Sequence, residues 1–522
     1  MKLSPRTFRV EWELHAWVGV VASILLFVVF FCGIFALFHE QLTLWQEPTQ
    51  AHSHSAPPSF GRLLAAVEQT APLARGTSVS FEPQHGARVA QLSTIAPGAK
   101  TERVQLLDVD TLARTEARSH LAEELYNLHF LDQLPLGGEL AGVVAVALLI
   151  SVVSGFLIHL KDLRRQWLQL RPRLRLRHVA SDLHKLIGVL VIPFLLVLGW
   201  SGSLLCLGEV TLASLTTSVL GGDEQKAAQL HYGPEFTRPP SGLSATMLPI
   251  DQLVLRAQEL SGQAESADYL TLRLAHDQNA WLEAYFPKEG LGAYSFVFLD
   301  ALTGDVLARS SGDDLTPSTA FERILHGLHF AHFGGFLIKL LYTALALSTC
   351  VLLISGNLIW LERRDPLRER RGNRLLERVT VAIPTGLVAA TGVYFVANRL
   401  LPATQSARAE LEFALFAGAW VVLAALGMGL EASLARRSFV LASLASGLFA
   451  LALVLDVTHY GAALTRDVGE RPAAFWQVRA LLLVLVSACV GLAAVSRPRA
   501  PRTVPRRTQA RAEGAHRQTV EL

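Results

Sequence analysis

Apolar residues in this chain gather in long runs rather than in the stripe of an amphipathic surface helix. Eight runs stand out, at about residues 14–38, 137–160, 184–207, 333–361, 379–401, 411–430, 438–457 and 475–495. A stretch of about 20 apolar residues crosses the hydrocarbon of a bilayer as a helix, so each run predicts a transmembrane span. Two polar stretches separate the early spans. Both mix helical patterns (RLLAAVEQT, PIDQLVLRAQEL) with strand-like ones (SVSF, RVQLLDVD, YLTLRLAH, AWLEAYF, YSFVFLD), and each is long enough for a small α+β domain. The predicted order is an N-terminal segment and first span at 1–39, a polar domain at 40–128, and two spans with an Arg-rich loop at 129–208. A second polar domain follows at 209–325, then a fourth span at 326–365, four more spans at 366–496, and a basic tail at 497–522.

The first four spans repeat. His15 precedes Gly33 by 18 residues and His184 precedes Gly202 by 18; Glu40 and Glu209 each lie 7 residues beyond those glycines. A longer version relates His129 to Gly155, 26 residues on, and His329 to Gly356, 27 residues on. The chain therefore carries a duplicated unit of two helices, each opened by a histidine.

Composition agrees with a polytopic membrane protein. Hydrophobic residues make up 51% and charged residues 17%, with a mean hydropathy of +0.35. The first span is too long for a cleaved signal and reads as a retained helix. The net charge of +3 hides an uneven placement. Arg-rich connections at 161–178 and 362–378, the Arg436-Arg437 turn and the tail all fall on one side if both termini are cytoplasmic, which puts the polar domains outside. All four cysteines lie in apolar spans, so no disulfide is expected; CxxCH is absent, which excludes covalently attached haem. No GxGxxG follows a strand and no phosphate loop is present, so electrons or energy must come from elsewhere.

This topology sorts the repeat histidines into two layers: His15 with His184 near the cytoplasmic face, and His129 with His329 near the outer face. Imidazole ligates iron well, and helical bundles build cofactor sites from facing helices. Two imidazoles on one haem iron favour electron transfer over oxygen chemistry. A glycine in each helix would let a flat macrocycle or a neighbouring backbone come close. A lone histidine at a helix end is ordinarily an interfacial polar residue; four at matched positions point instead to ligands. His39 and His159 lack this symmetry, matching Gly208 and Trp360. His326 and His332 flank His329 by one turn and are candidates to replace it, or to line the haem edge. His52 and His54 lie in a polar stretch and read as surface residues. Lys339 and Glu139, each ten residues past an outer histidine, are costly inside a span; either they snorkel or pair, or Lys339 meets a haem propionate.

The segments LHAWVGV, LHFL, GGELAG, DLHKLIGVL and LHFAHFGGFLIK, with LALSTCVLLISGNLIWLERR, resemble the four helices of the PepSY-associated transmembrane family. FLDALTGDVLA and, more weakly, LLDVDTLARTEA resemble the closing hairpin of PepSY domains. The resemblance covers about residues 10–365. It implies a bacterial inner-membrane protein of the ferric-siderophore reductase kind, with two b-type haems held by His15, His184, His129 and His329. Two departures stand out: Cys32-Gly33 where Ser/Thr-Gly is usual, and four further spans containing one histidine, His459. Those spans can serve a quinol site, a partner interface or packing.

The expected fold is thus a membrane all-α protein. A duplicated four-helix haem-binding bundle is joined to four C-terminal transmembrane helices and carries two periplasmic α+β PepSY-like domains. The expected function is reduction of a ferric siderophore or other iron chelate, fed by a separate quinol or cytoplasmic reductase, in contact with the lipid bilayer and with no nucleic acid. The rival is a non-enzymatic transport or sensing protein whose PepSY-like domains bind a ligand or a protease.

Overall fold

The computed structural model describes residues 4–47, 59–83, 89–99, 101–159, 176–223, 226, 238–263, 266–287, 294–310, 317–331, 333–363, 371–402, 404–429, 433–466 and 473–497. His52, His54, His332, most of the two Arg-rich loops and the basic tail lie outside the described residues.

Eight described helices have the length and hydropathy of membrane spans, so the chain is a multi-pass membrane protein. The first, α1, runs over Pro5–Ala36; Pro5 sits at its start, where a missing N–H costs nothing, and the Ser4 side chain accepts from Thr7 N. After a short break comes α2, His39–Gln46. The first polar segment then gives α3, Phe60–Thr70, and strands β1, Thr77–Phe81, β2, Val89–Ile95, β3, Arg103–Asp108, and β4, Arg114–Thr115. Helix α4, Leu121–Phe130, leads into the span α5, Gly137–His159. The third span belongs to α6, Leu176–Ser218, whose 43 residues extend past the apolar stretch. The second polar segment gives α7, Ile250–Ser261, and strands β5, Tyr269–Ala275, β6, Trp281–Pro287, β7, Tyr294–Asp300, and β8, Val306–Ser310. Helix α8, Pro317–Phe330, precedes the fourth span α9, Gly335–Arg363. The remaining spans are α10, Arg371–Leu400, α11, Arg408–Gly429, α12, Leu434–Arg466, and α13, Ala474–Ser496.

Both polar segments fold with the same order, one helix then four strands. They do not form two separate layers. β1 pairs antiparallel with β5 (Phe81 opposite Leu270, Val79 opposite Leu272), which fuses them into one eight-stranded sheet of order β4-β3-β2-β1-β5-β6-β7-β8. Strand alternation explains which face is covered: Val79 and Phe81 of β1 are buried while Ser78 and Ser80 are half-buried. α3 and α7 share that covered face, burying Phe60, Leu63, Leu253 and Ala257 in one core with both halves of the sheet. Asp251 of α7 accepts from Ser59 Oγ at 2.5 Å and from Gly61 N at 2.9 Å, which ties the two helices at their N-terminal ends. The closing hairpin β7–β8 turns through Gly304 at φ +73°, with Asp300 accepting from Leu302 N and Thr303 N.

Within the membrane, α1 packs on α5 and α9, and α6 packs on α5 and α9, forming a four-helix bundle. Helices α10–α13 pack on one another and reach back to α1, α2, α4 and α9.

Candidate functional site

The outer histidines do not open the spans. His129 lies in the last turn of α4 and His329 in the last turn of α8. Each short helix is separated from the span that follows by a turn. Leu131 (φ +60°) and Leu136 (φ +57°) make the first, and Ala331 (φ +55°) and Gly335 (φ +59°) the second. The chain thereby folds back, and each outer imidazole enters the bundle from the sheet side. The expectation that every helix is opened by its own histidine holds for neither of these two.

The four histidines meet in two pairs. The rings of His15 and His184 have centroids 6.1 Å apart, inclined at 77°. Those of His129 and His329 are also 6.1 Å apart, inclined at 54°. A metal about 2.0–2.1 Å from each ring nitrogen leaves two opposed imidazoles with centroids about 6 Å apart. The spacing fits one metal between each pair.

Nδ1 of each ring is committed elsewhere. His15 Nδ1 donates to Ser151 O at 2.8 Å, His129 Nδ1 to Val29 O at 2.8 Å, and His184 Nδ1 to Leu352 O at 3.0 Å. A carbonyl only accepts, so Nδ1 carries the proton and Nε2 keeps its lone pair. At the fourth ring, Ser201 Oγ donates to Val197 O at 2.7 Å and accepts from His329 Nδ1 at 2.7 Å. Such outer-shell bonds fix the tautomer and orientation of a ligating imidazole.

The repeat glycines explain how the rings reach those acceptors. A methyl built on Gly155 would lie 2.8 Å from His15 Cε1, one on Gly33 3.0 Å from His129 Cε1, and one on Gly356 3.1 Å from His184 Cε1. At Gly202 the distance to His329 Cε1 is 3.6 Å. Each glycine therefore admits the histidine of a neighbouring helix, and the 18-residue and longer spacings join ligands and glycines of opposite ends. In three cases the accepting carbonyl lies four residues before the glycine, on the same helical face. The serine before the glycine adds a contact: Ser355 Oγ is 3.2 Å from His184 Nδ1 and Ser154 Oγ is 3.4 Å from His15 Nδ1. Cys32 replaces this serine beside Gly33. The sequence displayed all three Ser-Gly pairs, but their role against the rings was not read from them.

A cavity of about 1280 Å³ surrounds the His129–His329 pair. Its deep walls are apolar, with Leu26, Phe30, Leu148, Phe194 and Ala346 from the four bundle helices. Its mouth is polar and lies under the sheet, at Glu82 just beyond β1 and Tyr269 at the start of β5. The seam that fuses the two half-sheets thus overhangs the opening. His39 and Glu123 also border it; His39 Nε2 donates to Glu123 Oε2 at 3.2 Å, which holds that carboxyl below its ordinary range, whereas burial pushes the Glu82 carboxyl up. Lys339 lines the same space and donates to Gln41 Oε1 at 3.1 Å. The ring of His326 packs on Phe330, centroids 4.5 Å apart, and is not brought against His129.

Functional residues were also missed in the last four spans. Arg399, Arg408, Glu412, Asp456 and Arg479 are buried there, close to the ends nearest the sheet. Ionisable residues inside an apolar run are a readable signal, and the reading used it only for Lys339 and Glu139.

A protein of Pseudomonas aeruginosa, described as uncharacterized, is 28% identical over 282 residues, which cover 51% of this chain and 69% of that protein. Residues 12–363 match the PepSY-associated TM region, taking in both histidine pairs, the glycines and the whole sheet and leaving out α10–α13. With more than half its length matched, the chain belongs to the PepSY-associated TM family.

Proposed function

We propose that this protein is a di-haem electron-transfer protein of a bacterial inner membrane, with both termini cytoplasmic. On this reading it reduces a ferric chelate, of the siderophore class, on the side of the sheet. The observation that carries the reading is the pairing of four imidazoles in two layers, each Nδ1 proton held by an acceptor so that Nε2 is free to ligate. His15 and His184 would hold one b-type haem, His129 and His329 the other. Bound haem supplies a one-electron couple at each layer, and two imidazole ligands leave no open position for oxygen.

The protein's own residues do the rest. The Ser and carbonyl acceptors keep the rings from turning. The glycines let each ring enter its groove. Apolar walls keep the depth of the cavity dry, while the polar mouth under the sheet admits a hydrophilic chelate. Lys339, on the cavity wall, is placed to meet an anionic propionate. Each ferric ion takes one electron and leaves as the less charged ferrous ion, which hard oxygen donors hold more weakly. The electrons come from a separate donor: one quinol, oxidised to the quinone with release of two protons, reduces two ferric ions.

Oriented membrane vesicles test this. With a quinol donor supplied, a membrane-impermeant ferric chelate should be reduced when it faces the sheet and not when it faces the opposite side. Equal rates on both sides, or full activity in His15→Ala/His129→Ala protein, would overturn the reading in favour of a binding or sensing protein.

A further inference from the structure

We propose that the four helices beyond the family region, α10–α13, are a clamp that positions His129 through the N-terminal end of α4. The proposal rests on the di-haem reading for what the positioned histidine does, but not for the clamp itself.

The buried polar residues of all four helices converge on one place. Asn398 and Arg399 come from α10, Arg408 and Glu412 from α11, Asp456 from α12 and Arg479 from α13. Asp456 bridges the two arginines, with Arg399 Nε at 3.1 Å from Oδ1 and Arg479 Nε at 2.5 Å from Oδ2. Arg399 then donates to Trp45 O at 2.6 Å, at the end of α2, with its guanidinium 3.3 Å from the Trp45 ring centroid. Glu412 accepts from Ser119 Oγ at 2.5 Å, and Asn398 donates to the same hydroxyl at 3.0 Å. Arg408 donates to Arg118 O at 2.8 Å and pairs with Glu412 at 2.9 Å. Ser119 in turn accepts from Leu121 N, the first residue of α4.

A ten-residue helix is marginal by itself, and α4 carries His129 eight residues past Leu121. Fixing its first turn fixes the angle at which the imidazole meets His329. Burying this many charges is costly unless each is paired, and removing one partner is strongly destabilising. Positional accuracy gives such an arrangement a role. The duplication supplies the control: α8 holds His329 in the equivalent place, and its printed polar tie to the bundle is Tyr342 Oη to Leu328 O at 2.7 Å, from the family's own helix α9.

The test compares Ser119→Ala, Glu412→Ala and Glu412→Gln in the full-length protein. Amide exchange should speed up about tenfold or more over Leu121–Phe130 in the two alanine variants, because a bond to a charged acceptor is lost, while Pro317–Phe330 stays as in the parent. Glu412→Gln keeps a side-chain carbonyl for Ser119 and should restore most of the protection. In the ferric protein, one of two low-spin resonances should shift, and it should be the one that His129→Ala abolishes. Loosening of both short helices alike, equal shifts of both resonances, or no change in folded variants would overturn the clamp. If the parent protein binds no haem, the di-haem reading fails and amide exchange alone decides the clamp. Should Glu412→Ala not fold, Ser119→Ala removes one hydroxyl and leaves the charges intact.

Discussion

The hydroxyl of Ser201 stands between two helices: it donates to Val197 O in its own helix and accepts from His329 Nδ1, both at 2.7 Å. His329 is the one repeat histidine whose Nδ1 proton goes to a side chain rather than to a backbone carbonyl. A side-chain acceptor can be deleted; a carbonyl cannot.

Ser201→Ala should therefore free the His329 ring without disturbing the backbone. Loss of an outer-shell partner of this kind weakens metal retention about 10–100-fold. Haem titration of the variant should show one weakened site out of two, with the other unchanged. Unaltered affinity at both would mean that Ser201 does not orient the ring.

Gly155→Ala places a methyl 2.8 Å from His15 Cε1. The ring must move or the helices must part, at a cost of about 1–3 kcal/mol for overpacking of this kind. The layer of His15 and His184 should lose haem first. Gly202→Ala, with 3.6 Å of room before His329 Cε1, should be close to neutral. Measuring haem content in both variants checks the order.

The pairing of ligands across the duplication predicts independent losses. His184→Ala should empty the layer far from the sheet and leave the other; His329→Ala should do the reverse. Optical spectra of the two reduced variants, compared with the parent, separate the layers. Loss of both haems from either folded variant would contradict the assignment.

The sheet has its own pH signature. Asp277 is almost fully buried, which alone would raise its pKa. Hydrogen bonds from Asn279 N, Ser241 Oγ, Ser241 N and Gly242 N outweigh that and hold it at about 2. Because the folded value lies below the unfolded one of about 3.9, this contribution is present above pH 4. It is lost as pH falls from about 4 towards 2. It should amount to about 2 kcal/mol. Acid unfolding followed by amide exchange in β5 and β6 should show that loss, and Asp277→Asn should flatten it.

Much of this was legible because membrane helices leave a long, simple record. Eight apolar runs and a fixed 18-residue spacing located the spans and the four histidines, since helical rise converts spacing directly into depth. The crossing was not legible: nothing local says that Gly33 admits His129 rather than serving its own end of the repeat. The β1–β5 seam was hidden for a similar reason. Phe81 and Leu270 pair across nearly the whole first half of the chain, and strand alternation names a face without naming a partner. Asp456 and Glu412 went unread because one acidic residue barely dents the hydropathy of a span.

The central claim is that the two histidine pairs each hold a haem. Haem extracted as its pyridine complex from purified protein, together with the ferric paramagnetic resonance spectrum, tests it most directly. The account predicts two non-covalent b-type haems per chain and two low-spin signals of bis-imidazole type, both absent from His15→Ala/His129→Ala protein. Fewer than about one haem per chain, or a high-spin centre with an open position, would contradict it.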